Sequence, residues 1–391
     1  MTRPLRILLS AGEASGDRLG EGLAAALRER SPGVELVGMG GDAMAAAGVR
    51  LVAHASDVAV VGIAEVAARL PALRRAMRTL VATIERERPD LVVSVDFPDF
   101  HLRLAARARR SGVPVVHFVG PSVWAWRRGR LRRIRRDVRR MLVLYPFEVA
   151  CYEDAGIPVT FVGHPAVEEA GARGGSLAEI GLERGVEAIA LLPGSRPGEV
   201  ERLLPPMLGA AGILRRRRRR LHFVVPCAST APRERIDALV ARSGLEGIHV
   251  AGPASPALLG GCVAGIVASG TATLEAALAG LPSVVVYRLH PLTYAIARML
   301  VRTEHVALPN LILGRRVVPE LIQGDCTPQR IAAEVERWLD RPEEAAALRE
   351  ILGEIPERLG GPGAFGRAAR AVLDEAAVLE DRDRAVSLDE N

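Results

Sequence analysis

Two carboxylates occupy a position that suits a catalytic base. Asp96 and Asp99 follow a β-branched run that ends at Val95, and Pro98 lies between them. Open α/β sheets bind ligands beyond the carboxyl ends of their strands, and the proline restricts the backbone around both acids. Partial burial raises the pKa of a carboxylate, which suits a general base. We therefore interpret Asp96 as a candidate base, whereas Asp99 fits a cap of the next helix equally well.

A loop of small residues follows the first predicted strand. It contains Gly12, Glu13, Ser15 and Asp17, and a helical pattern begins directly afterwards. Small residues let backbone amides at a helix N-terminus approach a ligand closely. The spacing differs from the GxGxxG dinucleotide fingerprint. A nearer match at residues 38–43 follows the second strand, so we interpret it as a tight turn rather than an NAD site.

Two later loops have the composition of phosphate-binding turns. Each follows a predicted strand, precedes a helix and offers backbone amides, hydroxyl groups or a guanidinium to a diphosphate. The first contains Gly194, Ser195 and Arg196, and the second contains Ser269, Gly270, Thr271, Ala272 and Thr273. Glu275, one turn into the second helix, is placed to accept both hydroxyls of a ribose. Together the loops predict a nucleoside diphosphate site, although either alone also fits a helix cap.

A basic aromatic segment predicts an anionic partner. Trp124 and Trp126 precede nine arginines, which begin with Arg127 and Arg128 and end at residue 140. Indoles favour the lipid interface and guanidinium groups bind phosphate, so anionic lipid is the first interpretation. Arginine with aromatic residues is also typical of RNA-binding proteins, and a solvated basic helix is the third interpretation.

A second candidate for membrane contact is the run from Val60 to Ile84. It has apolar residues at helical spacing, among them Val66, Leu70 and Leu73, with arginines between them. A basic amphipathic helix of this kind can lie in a bilayer interface. The same pattern also fits an ordinary helix that faces a protein core.

The composition excludes several classes of chemistry. The chain has 391 residues, of which 49% are hydrophobic and 25% charged, as in a soluble protein of about two domains. All 52 basic residues are arginine, so the chain has neither a P-loop lysine nor a Schiff-base lysine. The four cysteines form no CxxC pair and the eight histidines show no ligand spacing, so we expect neither zinc nor disulfides. Without a membrane-spanning run or a signal sequence, we expect a cytoplasmic protein.

Short strands alternate with longer helical patterns along the chain. This alternation predicts an α/β protein with parallel sheets covered by helices on both faces. We expect two Rossmann-like, doubly wound domains facing a cleft, with the first at residues 1–168 and the second at 169–362. The charged helical tail, residues 363–391, is expected to pack back on the first domain or to extend from it. Residues 308–312 and 319–323 are predicted loops.

A series of motifs resembles the lipid-A-disaccharide synthase family: GEASGD, VDFPDF, PSVWAWR, YPFE, FVGHP, LPGSR, ASGTATLE, LPNLI and PELIQ, in this order from residue 12 to residue 323. The resemblance implies an inverting glycosyltransferase of the GT-B type. Such an enzyme transfers 2,3-diacylglucosamine from UDP-2,3-diacylglucosamine to the 6-hydroxyl of 2,3-diacylglucosamine 1-phosphate (lipid X) and releases UDP. It needs no metal or cofactor and is peripheral on the cytoplasmic face of the inner membrane.

The resemblance also implies roles for residues of the donor site. Arg196 and the loop at 269–273 would hold the UDP diphosphate, and Glu275 would hold the ribose. Asn310 and Gln323 match family positions that line the nucleotide-sugar cleft.

On the acceptor side, the resemblance makes Asp96 the base. Glu13, Asp99 and Ser15 would lie beside the acceptor. Acyl chains would contact Val66, Leu70 and Leu73, and anionic lipid would contact Trp124, Trp126, Arg127 and Arg128. His101 departs from the family, which often has asparagine at this position.

Two alternatives stay open on the sequence alone. Another GT-B enzyme that uses a UDP-sugar, either a lipid-linked glycosyltransferase or a UDP-sugar 2-epimerase, would share the fold. A non-catalytic RNA-binding module would instead use the arginine segment, although we expect no nucleic-acid partner.

Overall fold

The structure is a computed structural model that describes residues 3–58, 63–125, 129–170, 176–183, 185–227, 231–290, 293–294, 298 and 303–389. It divides into two compact units. The first combines Met1–Pro165 with Pro362–Asn391, and the second is Ala166–Gly361.

The first unit is built on a seven-stranded sheet. Its strands are Arg6–Ala11 (β1), Glu35–Gly40 (β2), Arg50–His54 (β3), Leu91–Val95 (β4), Val115–Phe118 (β5), Arg140–Val143 (β6) and Val159–Phe161 (β7). They pair in the order β3-β2-β1-β4-β5-β6-β7, and every pair is parallel. The central strands are buried on both faces, as their continuous apolar runs require. All seven carboxyl ends therefore meet at one edge, where the loops that follow them collect.

The second unit repeats this plan with six strands. They are Ala188–Leu192 (β8), His222–Pro226 (β9), Ile248–Ala251 (β10), Ala264–Ala268 (β11), Ser283–Tyr287 (β12) and Glu320–Ile322 (β13). Their order is β10-β9-β8-β11-β12-β13, again with parallel pairs. The order reverses between β8 and β11, which is the kind of position where doubly wound sheets bind ligands.

Helices cover both sheets. In chain order they are Ala14–Arg30 (α1), Asp42–Ala46 (α2), Ala55–Val58 (α3), Ile63–Glu87 (α4), Pro98–Arg110 (α5), Arg130–Asp137 (α6), Pro146–Glu153 (α7), Ala166–Glu169 (α8), Pro197–Arg217 (α9), Arg233–Ser243 (α10), Pro256–Gly260 (α11), Thr271–Leu278 (α12), Leu308–Leu313 (α13), Pro328–Asp340 (α14), Pro342–Leu352 (α15), Ile355–Arg358 (α16) and Ala364–Asp389 (α17). Short 3-10 turns occur at Ala178–Ile180 and Gln323–Asp325.

The C-terminal helix α17 packs on α1. Val372 is fully buried in the core that α1 forms with the first sheet. A Cβ atom at Gly22 would lie 2.3 Å from the ring of Phe365, so the glycine lets the two helices come together. Buried Glu375 accepts a hydrogen bond of 2.6 Å from Arg140 at the start of β6. The tail is therefore part of the first unit.

The predicted α/β class with two parallel sheets is confirmed, but three details differ from the sequence interpretation. Strands β3 and β13 were not predicted, because one is an edge strand of mixed polarity and the other has only three residues. Residues 308–312 form a helix rather than a loop: Pro309 is compatible with a first helical turn, and Gly314 ends the helix in the left-handed conformation. Residues 320–322 form β13 rather than a loop, because they pair with β12.

Candidate functional site

Strand register places three loops of the first unit side by side. Ala11 at the end of β1 pairs with Val95 on β4, and Val95 pairs with Phe118 on β5. A Cβ atom at Gly12 would lie 2.3 Å from the ring of Phe97, so only glycine allows the loop after β1 to pack on the loop after β4. The exposed residues Glu13 and Ser15 follow in the first of these loops. The structure thus brings the predicted loop of small residues next to the loop that carries Asp96.

The backbone at Asp96 is strained. Asp96 and Phe97 have φ angles of 49° and 48°, and Val119 after the neighbouring strand has 71°, all in the left-handed region that L residues rarely adopt. Each such residue costs about 1–3 kcal/mol and persists only where its surroundings enforce it. The Asp96 amide donates to the Phe118 carbonyl at 2.9 Å, and the Val119 amide donates to the Leu142 carbonyl at 2.9 Å. Strain concentrated at the carboxyl edge of a sheet points to a functional site.

A buried histidine supports the Asp96 turn from below. His101 on α5 has no exposed surface, and its Nδ1 lies 2.6 Å from the Asp96 carbonyl oxygen. A carbonyl oxygen only accepts, so Nδ1 donates and Nε2 accepts from the Ser10 hydroxyl at 2.9 Å. Burial lowers the pKa of His101 to about 4, so its ring is neutral near pH 7. His101 therefore fixes the backbone of the candidate base.

A second buried histidine lies beside the first. His117 on β5 contacts the Ser94 hydroxyl through Nδ1 at 2.6 Å, and its ring centroid is 6.3 Å from that of His101. Burial, followed by the proximity of His101, lowers the pKa of His117 to about 3. Sequence analysis did not identify the buried cluster of Ser10, Ser94, His101 and His117. The polar residues inside otherwise apolar strands were the signal for it.

The two acids of the loop differ in their surroundings. The Asp96 carboxyl is partly buried, and this burial raises its pKa, although a hydrogen bond from the Phe97 amide acts in the opposite direction. The Asp99 carboxylate is exposed and forms an ion pair of 2.5 Å with Arg130. Asp96 therefore has the surroundings of a base, whereas Asp99 is held by a cation.

Three of the sequence motifs meet in an aromatic cluster at the same edge. The ring of Trp124 packs on Phe147 at a centroid distance of 4.9 Å, and Phe147 stacks on Tyr145 at 5.2 Å. His164 lies 5.3 Å from Tyr145. Glu148 in this cluster accepts from the Tyr145 amide at 3.1 Å, and burial raises its pKa to about 8. This side chain anchors the start of α7.

A groove of about 1010 Å³ runs between α4 and α5 and opens beside the Asp96 loop. Its apolar lining includes Leu70, Leu73 and Met77 of α4, together with Phe97 and Phe100. Its volume is at the upper end of the range found for ligand pockets. Two residues predicted to contact acyl chains, Leu70 and Leu73, thus line a groove whose other wall carries Phe97.

In the second unit, the loop after β8 places the guanidinium group of Arg196 at the start of α9. Gly194 has a φ of 100°, and a Cβ atom there would lie 2.5 Å from the Glu199 carboxylate. Ser195 and Arg196 are exposed; the Arg196 side chain is 80% exposed and lies 3.3 Å from Glu199. Tyr287 at the end of β12 lies close enough for Glu199 and Arg196 to influence its pKa, which burial raises most. Sequence reasoning did not include Tyr287.

In the loop after β11, some side chains hold the backbone in place, and other residues are open to a ligand. The Ser269 hydroxyl donates to the Val306 carbonyl at 2.9 Å, and the Ser269 amide donates to Val286. Thr273 is fully buried; its hydroxyl donates to the Gly270 carbonyl at 2.8 Å and accepts from the Leu308 amide. The part of this loop left open to a ligand is Gly270, Thr271 and Ala272 at the start of α12.

Asn310 and Gln323 hold the backbone next to this loop. The buried Asn310 amide group donates to the Val318 carbonyl and to Glu320, and its oxygen accepts from the amides of Val317 and Val318. These four bonds use the hydrogen-bonding capacity of the side chain. The Gln323 side chain makes two hydrogen bonds to the backbone of Leu289, of 2.6 and 3.2 Å. Both side chains therefore stabilise the backbone near this loop, because their hydrogen bonds are made within the protein.

Glu275 lies on the exposed face of α12, one turn beyond the open amides. Neighbouring protein atoms displace water from its carboxyl group and raise its pKa, and the charge of Glu169 acts in the same direction. A surface carboxylate at this position can accept hydrogen bonds from a ligand.

Four predicted contacts lie outside the described residues: Trp126, Arg127, Arg128 and the side chain of Val66. In the part of the chain that the structure describes, no helix combines the length and apolar character needed to cross a bilayer.

Comparison with solved structures defines the fold. The UDP-GlcNAc 2-epimerase from Neisseria meningitidis bound to UDP-GlcNAc matches with a TM-score of 0.64 at 12% identity, covering 95% of this chain and 100% of that one. The glycotransferase of kitacinnamycin matches with a TM-score of 0.58 at 18% identity, covering 95% and 99%. The fold is therefore that of GT-B glycosyltransferases and of UDP-GlcNAc 2-epimerases.

Sequence comparison is more specific. A family model described as Lipid-A-disaccharide synthetase matches residues 7–350. Lipid-A-disaccharide synthase from Myxococcus xanthus is 46% identical over 378 residues, which cover 96% of this chain and 98% of the relative. The enzyme of the same name from Syntrophus aciditrophicus is 44% identical over 370 residues, covering 94% and 97%. The chain belongs to the lipid-A-disaccharide synthase family.

Family membership confirms the activity predicted from the motifs. The protein is a hexosyltransferase with lipid-A-disaccharide synthase activity, using a UDP-sugar donor and a lipid acceptor. The alternative of an epimerase or of another lipid-linked glycosyltransferase is not favoured, because the epimerase likeness concerns the fold alone.

Proposed function

We propose that Asp96 is the base that activates the acceptor. In this scheme it removes the proton of the 6-hydroxyl of 2,3-diacylglucosamine 1-phosphate while that oxygen attacks the anomeric carbon of UDP-2,3-diacylglucosamine. The new bond joins oxygen to the anomeric carbon on the face opposite the nucleotide, and the bond to UDP breaks with its electron pair. The observation that carries this assignment is the strained, partly buried Asp96 turn, whose carboxyl pKa is raised by burial.

The donor site is proposed to use the two loops of the second unit. The exposed guanidinium of Arg196 and the amides of Gly270, Thr271 and Ala272 would hold the diphosphate. Donors fixed in place before the reaction stabilise the charge that develops on the leaving UDP. Gly194 and Ser195 shape the first loop, Glu275 would accept the ribose hydroxyls, and Ser269, Thr273, Asn310 and Gln323 keep the second loop in position.

The acceptor is proposed to lie on the first unit. Glu13 and Ser15 flank the Asp96 turn, because their loop packs on Phe97 through Gly12. Asp99, paired with Arg130, would orient the sugar rather than accept its proton. The apolar residues Val66, Leu70 and Leu73 of α4 would receive acyl chains.

The membrane contact is proposed to be peripheral and on the cytoplasmic face of the inner membrane. Trp124, Trp126, Arg127 and Arg128 would contact anionic headgroups there, and nucleic acid is not a partner. Such binding weakens as salt screens the charges. Vesicle flotation that does not change with ionic strength, or tighter binding of RNA than of anionic vesicles, would contradict this proposal.

The direct test incubates the purified protein with diacylated UDP-glucosamine and lipid X and identifies products by mass spectrometry. We expect a tetraacylated disaccharide 1-phosphate and an equal amount of UDP. Release of UDP without a coupled disaccharide, or coupling only to a different acceptor, would contradict the substrates that we assign.

A further inference from the structure

The groove between α4 and α5 combines an apolar floor with a row of cations. Arg74 and Arg78 lie one turn apart on α4, and Arg103 and Arg107 lie one turn apart on α5. Residues four apart share one face of a helix, so each helix presents a pair of guanidinium groups to the same groove. All four residues are exposed.

The groove wall carries more cations than acids. Among the described side chains, none of the four arginines forms an ion pair within 4.0 Å. The groove also contains two acids, Glu85 and Asp99, and the second is already paired with Arg130. Neighbouring guanidinium groups repel one another, so a bound anion stabilises the groove, and arginine suits the bidentate binding of phosphate.

We propose that the four arginines of this groove bind the phosphate of the acceptor and thereby determine acceptor specificity. The apolar residues Leu73, Met77 and Phe100 receive one of its acyl chains. This inference rests on the proposed function, because it assigns the substrate of that reaction to a particular groove.

The position of the groove fits such an acceptor. Phe97 and Asp99 line its end next to Asp96, so a sugar hydroxyl at Asp96 lies at the mouth of the groove. Arg103 follows Asp99 by one helical turn, a rise of about 6 Å along α5. We therefore assign the phosphate of the bound sugar to Arg103 and its hydroxyl to Asp96.

The kinetic test compares two acceptors, lipid X and the same diacylglucosamine without its phosphate. For Arg103→Ala and Arg78→Ala we expect kcat/KM for lipid X to fall about 10- to 100-fold, the usual range for a lost charge-assisted hydrogen bond. The phosphate-free acceptor should change by less than about threefold, because it has no group for these arginines to bind. Arg75→Ala is the matched control: this exposed residue on α4 does not line the groove, and we expect wild-type values.

Equal losses for both acceptors, or no loss for lipid X, would overturn the proposal. Loss of binding to anionic vesicles with unchanged kcat/KM for lipid X would also overturn it, because the arginines would then bind membrane headgroups.

A binding measurement separates this proposal from the reaction itself. Calorimetry with dodecyl phosphate and with uncharged dodecyl glucoside, both below their micelle concentrations, needs no turnover. We expect the full-length protein to prefer the phosphate, and Arg103→Ala to lose that preference. A protein that retains the preference without forming a disaccharide supports the groove assignment and contradicts the proposed reaction. A protein that forms the disaccharide without the preference contradicts only the groove assignment.

Discussion

The two loops to which we assign the chemistry are built in opposite ways. After β4, two residues other than glycine, Asp96 and Phe97, adopt left-handed backbone angles, and buried His101 holds this turn through a hydrogen bond. After β8, a glycine adopts the positive φ, and Arg196 extends into solvent. An acid that must keep a raised pKa benefits from burial and rigid support, whereas a guanidinium that must reach a diphosphate benefits from exposure.

The strongest way to test this contrast is Asp96→Asn. We expect kcat to fall about 10²- to 10⁴-fold, the contribution of a positioned general base. Steady-state kinetics with both substrates would measure it, and UDP affinity should stay at the wild-type value. The same substitution at Asp99, which is paired with Arg130, is the matched control and should have a much smaller effect on kcat. Near-normal turnover of the Asp96 variant would move the base to another acid.

Arg196→Ala tests the other side of the contrast. We expect UDP affinity to fall about 10- to 100-fold, because a charged hydrogen-bond donor to the diphosphate is lost. Arg216→Ala, an exposed arginine at the far end of the same helix α9, is the control for general charge effects. Isothermal titration with UDP measures both. If both variants lose UDP affinity to the same extent, Arg196 has no specific role in the donor site.

His101 stabilises the strained backbone of the Asp96 loop through a hydrogen bond. His101→Leu leaves the Ser10 hydroxyl and the Asp96 carbonyl without this partner, so we expect kcat to fall about tenfold with little change in KM for the donor. His101→Asn retains an amide donor, and we expect it to recover most of kcat. Comparable losses in kcat for both variants would indicate a packing role rather than a hydrogen-bonding one.

The buried histidines also predict a pH dependence of stability. The pKa values of His101 and His117 are about 4 and 3 in the folded protein, below the usual 6.5. Their neutral forms are favoured by folding, so stability is complete above pH 6.5 and falls as the pH drops towards the folded values. The change is about 2 kcal/mol per histidine at pH 5.

Urea denaturation at pH 7.5 and pH 5 measures this dependence. The acid Glu148, whose pKa is about 8, opposes it by gaining stability as the pH falls. Because wild type and His101→Leu both contain Glu148, the difference between their unfolding free energies removes the contribution of that acid. We expect the variant to lose about 2 kcal/mol less than wild type between the two pH values. An identical loss in both proteins would show that His101 does not titrate as inferred.

The sequence predicted the general plan better than the local geometry. Apolar runs such as Leu91–Val95 and Ala188–Leu192 marked central strands correctly, because strands buried on both faces are continuous in hydrophobicity. The edge strands β3 and β13 have weaker patterns and were missed. Motif order was sufficient to identify the family.

Side-chain roles were harder to predict, because they depend on contacts distant in sequence. Asn310 looked like a ligand contact, yet its amide bonds to Val318 and Glu320, whose positions only the fold reveals. The left-handed turn at Asp96 and Phe97 was equally hidden, since aspartate adopts that conformation only occasionally and phenylalanine rarely does. The support from His101 and Ser10 joins residues 91 positions apart.

The most direct test measures turnover and UDP binding together for Asp96→Asn and Arg196→Ala. The account predicts that the first variant loses turnover while its UDP affinity is unchanged, and that the second loses UDP affinity. If Asp96→Asn loses UDP binding as well, or if Arg196→Ala binds UDP as tightly as wild type, then the division of chemistry between the two loops is wrong.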